Sequence, residues 1–102
     1  MTSFDFDMAF PATELAEGLR ALFARQPYEW VERIDGDRYE YAVTFPSGHC
    51  ALLSLGPLPE ERRTPTPFSD RTLLTARSVG ASADELEALR REIVQAFMRV
   101  MG

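Results

Sequence analysis

His49 and Cys50, the most reactive side chains in this chain, are neighbours, and they are the single histidine and single cysteine among 102 residues. A thiol paired with an imidazole can act as a nucleophile, provided the two side chains come within hydrogen-bond reach. The stretch HCALLSL that holds them has strand character, and adjacent residues on a strand point to opposite faces. Only a bulge beside Gly48 would bring them together. Cys50 is therefore expected as a small apolar residue, His49 as a turn-flanking surface residue, and no catalytic residue is assigned.

Metal chemistry is equally thin. A zinc site needs three or four His/Cys-type ligands, and the chain offers two. Asp35-Gly36-Asp37 resembles the start of a calcium loop but lacks the later ligands. No phosphate-cradling glycine motif of known type is present. Neither a cofactor nor a metal is expected. Arg62 and Arg63, with Arg71 nearby, could hold an anion, although Glu60 and Glu61 can neutralise them locally. Tyr39 and Tyr41, together with Tyr28 and Trp30, could line a ligand pocket; at strand spacing they fit a core equally well. Arg62, Arg63, Tyr39, Tyr41 and His49 are thus the candidate anion or ligand contacts.

Tyr39, Tyr41 and His49 hang on a stretch from Tyr28 to Leu55 that reads as a three-stranded antiparallel meander. Asp35-Gly36 marks a tight hairpin turn, and Pro46-Ser47-Gly48 a type I turn closed by a left-handed glycine. Loop lengths fix the parity. Tyr28, Trp30, Glu32, Ile34, Tyr39, Tyr41, Val43, Phe45, Ala51, Leu53 and Leu55 share one face, and Val31, Ala42, Cys50 and Leu52 share the other with Glu29, Arg33, Arg38 and Glu40.

The flanks follow from periodicity. SFDFDMAF (3–10) alternates as a half-buried strand does, or as a tail laid over a core edge. Pro11 suits the first turn of a helix over 11–25, whose apolar face is built on Ala12, Leu15, Ala16, Leu19, Leu22 and Phe23. Gly18 inside it costs about 1 kcal/mol relative to Ala, and a close helix–sheet contact would explain it. Residues 56–70 form a proline-rich loop. Residues 71–79 read as a further strand, and Ser82 and Glu85 form a capping box for a helix over 83–101. That helix has a wide apolar arc including Val94, Met98 and Met101. Arg90 falls inside the arc, where it must snorkel or find a partner, and Glu87–Arg91 is an i,i+4 pair.

The expected fold is a single α+β domain: a mostly antiparallel sheet of four or five strands with both helices on its aromatic face. The net charge of −5 leaves no basic stripe for nucleic acid. No apolar run reaches the ~18 residues of a membrane helix, and the acidic N-terminus is unlike a secretory signal. A cytoplasmic location is expected. All eleven basic residues are Arg, a bias that fits the G+C-rich codons of a bacterial source.

Apolar surface unused by one small core points to a protein-binding module, adaptor or chaperone-like and self-associating, with Val31, Leu52, Val94, Met98 and Met101 as interface candidates. In size, acidity and α+β pattern the chain is similar in broad outline to the small chaperones of secretion systems. The second expectation is a small-molecule or anion binder, or a small enzyme, with its pocket between the aromatic face and the 56–70 loop.

Overall fold

The computed structural model describes residues 2–58 and 71–101, with side chains described as far as Phe97. The elements run β1 (Ser3–Met8), α1 (Ala12–Arg25), β2 (Glu29–Asp35), β3 (Arg38–Thr44), β4 (Cys50–Pro57), β5 (Thr72–Val79) and α2 (Ala83–Met101). The five strands form one antiparallel sheet in the order β1-β5-β4-β3-β2. SFDFDM is a true strand rather than a tail, and it ends at Met8, two residues before the alternation does. The α+β class, the meander and the two helices on its aromatic face all stand as the sequence implies.

The turns set the register. Gly36 has φ of +62° while, among the described residues, none other than glycine has positive φ. A positive first position followed by a negative second one makes Gly36-Asp37 a type II′ loop, and it pairs Asp35 with Arg38, Glu32 with Tyr41 and Trp30 with Val43. At the next turn the Gly48 amide donates to the Phe45 carbonyl at 2.8 Å and the Phe45 amide to the His49 carbonyl at 2.9 Å. Gly48 sits at φ +91°, the left-handed residue that lets a type I turn close a hairpin. Tyr41 then opposes Leu53, and Val43 opposes Ala51.

The aromatic face is the core. Tyr41, Val43, Leu53, Leu55 and Leu74 of the sheet are buried against Leu15, Leu19, Leu22 and Phe23 of α1 and Leu86, Leu89, Ile93 and Phe97 of α2. The Phe23 ring lies 5.8 Å from that of Trp30 and 5.7 Å from that of Tyr41, spacings at which aromatic pairs attract. Gly18 serves a helix–helix contact, not the helix–sheet contact its position suggested. A Cβ there would lie 2.5 Å from Cε1 of Phe97, so its absence lets α2 close on α1.

α2 begins with the reciprocal cap: the Glu85 amide donates to Ser82 Oγ at 3.1 Å and the Ser82 amide to Glu85 Oε1 at 2.9 Å. Arg90 neither snorkels freely nor enters the core; it donates from Nε and Nη2 to both oxygens of Glu87 at 3.0 and 2.8 Å. Arg91 reaches the same carboxylate at a longer 3.5 Å. The proline-rich stretch begins later than the pattern implied, since β4 continues to Pro57, and its residues 59–70 lie outside the described residues.

Candidate functional site

The structure separates His49 from Cys50, as strand geometry requires. His49 Nδ1 lies 2.8 Å from Glu85 Oε1 on the helix side. Cys50 Sγ lies 3.5 Å from Thr44 Oγ1 on the opposite face. Ser47 Oγ donates to Glu85 Oε2 at 2.5 Å, so Ser47, His49 and Glu85 cluster. The hydroxyl hydrogen goes to the carboxylate and not to the imidazole, so the cluster is not the Ser–His pair of an activated nucleophile. Glu85 gathers the Ser47 hydroxyl, the Ser82 amide and His49, and these bonds hold its pKa down at about 2. The cluster ties the β3–β4 turn to the start of α2.

The tyrosine candidates belong to the core. Tyr41 is 0% exposed, and its hydroxyl donates to Glu32 Oε2 at 2.6 Å. Burial, reinforced by that bond, pushes the Tyr41 pKa up. Arg20 Nε donates to the same oxygen at 2.6 Å; Arg20 first and Tyr41 second hold the Glu32 carboxyl below its usual range. The row parity already placed Glu32 among aromatics, a charge on an apolar face that had to find partners. Its partner on α1 could not be read from spacing. Tyr28 likewise donates to Glu92 of α2 at 2.7 Å. Tyr39 is half-buried at the rim of the core. Arg62 and Arg63 lie outside the described residues. Arg71, suggested as their companion, binds Asp7 through Nε at 3.0 Å and Nη2 at 2.9 Å.

The interface candidates divide. Val31 and Leu52 lie on the sheet face away from both helices, where Val31 is 69% exposed and Leu52 half-buried. Val94 lines an open apolar cleft of about 280 Å³ with Phe6, Met8, Phe10, Ile93 and Phe97. Met98 and Met101 belong to α2, and their side chains are outside the described residues. Two further large apolar residues are exposed: Ile34 at 58% and Val79 at 49%. Spacing gave no signal for Ile34, which lies in the core row but near the end of β2.

The uncovered sheet face is mixed. Glu29, Arg33, Arg38, Glu40 and Arg77 stand among Val31, Ala42, Leu52, Leu73 and Val79, most of them exposed. Near β1 it forms a shallow depression of about 550 Å³ lined by Ser3, Asp5, Glu40, Leu52, Ser54, Thr75 and Arg77. Ser54 and Thr75 spend their hydroxyls on each other. Among the described residues no group of three His, Cys, Asp or Glu side chains is placed to hold a metal ion. No helix among them is long and apolar enough to cross a membrane.

No protein-family model matches the sequence, and no curated protein matches it either. The functional reading rests on the chain's own geometry.

Proposed function

We propose that this protein is a non-enzymatic protein-binding module that associates with itself. One observation carries the reading: β2, at the edge of the sheet, exposes a large apolar side chain on each of its faces, Val31 and Ile34. An edge strand presents a row of unpaired N–H and C=O groups, and natural proteins usually guard such edges. Apolar residues beside an open edge suit pairing with another chain. The reactive groups point the same way. The hydroxyl of Ser47, the ring of His49 and the carboxylate of Glu85 are joined in a bracing cluster, and Tyr41 is sealed in the core.

Size-exclusion chromatography with light scattering tests the reading. The expected mass at tens of micromolar is twice the 11.5 kDa of one chain, with Val31→Glu falling to the mass of one. A wild-type protein that stays at the single-chain mass at that concentration would sink self-association.

A further inference from the structure

In a two-residue hairpin the pair flanking the loop, here Asp35 and Arg38, is hydrogen-bonded, and bonded and non-bonded pairs then alternate. The main-chain groups of Asp35, Arg33, Val31 and Glu29 therefore turn toward β3. Those of Ile34, Glu32 and Trp30 turn outward, to an edge that no strand occupies among the described residues.

We infer that a second copy of this chain occupies that edge, β2 against β2, antiparallel about a two-fold axis through Val31. The inference rests on the self-association reading and fixes its geometry. A two-fold axis perpendicular to the sheet keeps the uncovered faces of both copies on one side, so it pairs residues of equal parity and must pass through a residue. Through Glu32 it sets Glu29 against Asp35 of the second copy, and Glu32, whose carboxylate Arg20 already binds, against its copy. Through Arg33 it sets Arg33 against Arg33 and Val31 against Asp35. Like charges directly opposite are unfavourable. Through Val31 it sets Val31 against Val31, Glu29 against Arg33 of the second copy twice over, and Tyr28 against Ile34. The outward groups of Trp30 and Glu32 then bond across the junction. Charge and hydrophobicity both select this register.

The other edge does not compete. On β1, Asp5 and Asp7 share a face beside Arg71, which binds Asp7, and charged side chains of this kind guard an edge.

Cross-linking and charge exchange test the register. Val31 pairs with itself at a non-bonded position, where Cα atoms lie about 4.5 Å apart, within disulfide reach. In a Cys50→Ser background, Val31→Cys is expected to oxidise to a covalent dimer. Ile34→Cys, whose two copies would stand roughly 20 Å apart, is not. Glu29→Arg and Arg33→Glu are each expected to weaken the dimer about tenfold or more, and the double exchange Glu29→Arg/Arg33→Glu to restore it. A wild-type dimer that resists all these changes, with no Val31→Cys cross-link, overturns the register and leaves self-association standing. A wild-type protein that never dimerises overturns both. Melting curves separate a weakened dimer from a variant that fails to fold, and the cross-link then decides alone.

Discussion

Glu85 binds two ends of the molecule together with one carboxylate. It accepts from Ser47 in the β3–β4 turn and from the Ser82 amide at the head of α2, and it faces His49. Its pKa, near 2, lies below the ordinary carboxylate value of 4.5. A depressed folded-state value means that the contribution is complete above the ordinary value and fades as the pH falls from there toward 2. Glu85→Gln is therefore expected to destabilise the protein at neutral pH, with the gap to wild type closing in acid; urea unfolding at a series of pH values measures it. A gap that stays constant would mean the carboxylate charge is not what holds the turn. The capping box was legible because it is local: a hydroxyl and a carboxylate three residues apart. The visits of Ser47 and His49 to the same carboxylate span more than thirty residues, and no spacing rule reaches that far.

At the scale of elements, the meander was readable down to the face each residue takes, since two short glycine turns leave one register that puts every aromatic residue on the core side. The helix–helix contact was not. Gly18 announced a close approach without saying to what, and the answer is the Phe97 ring. Gly18→Ala gains about 1 kcal/mol of helix propensity but drives a methyl group into an aromatic ring that the core holds in place, an overpacking worth about 1–3 kcal/mol. The net expectation is a loss of about 1 kcal/mol by thermal or chemical unfolding. In a Phe97→Leu background the same change should become neutral or stabilising, because the obstacle is gone. A loss of equal size in both backgrounds would assign the cost to something other than the ring. The bidentate Arg90–Glu87 pair carries the same lesson on a smaller scale. A helical wheel flagged Arg90 as misplaced, and the structure resolves it with a partner one turn earlier.

At the scale of the whole molecule, the strand order β1-β5-β4-β3-β2 places the first two strands of the chain at opposite rims of the sheet, with α1 carried across the core between them. The alternation of residues 3–10 identified a strand but not its neighbour, since pairing across more than sixty residues leaves no local mark. The placement of Val31 and Leu52 on the uncovered face was legible from parity; Val79 is exposed on that same face, and Ile34 is exposed near the end of the core row. The two rims differ in charge: β2 offers Val31 between an acid and a base, and β1 offers Asp5 and an Asp7 already bound by Arg71. On the proposed pairing this asymmetry becomes a stopping rule for assembly. Joining two β2 rims consumes the receptive edge of each copy and leaves at both ends β1 rims that carry Asp5 and the Asp7–Arg71 ion pair, charged groups that blunt an edge, so chain growth terminates at the first step. Asp5→Asn/Asp7→Asn/Arg71→Gln is accordingly expected to yield species heavier than the dimer in light scattering, and an unchanged dimer would place the terminator elsewhere. In polymer terms each molecule is a monofunctional monomer, capped at its second rim by charged side chains.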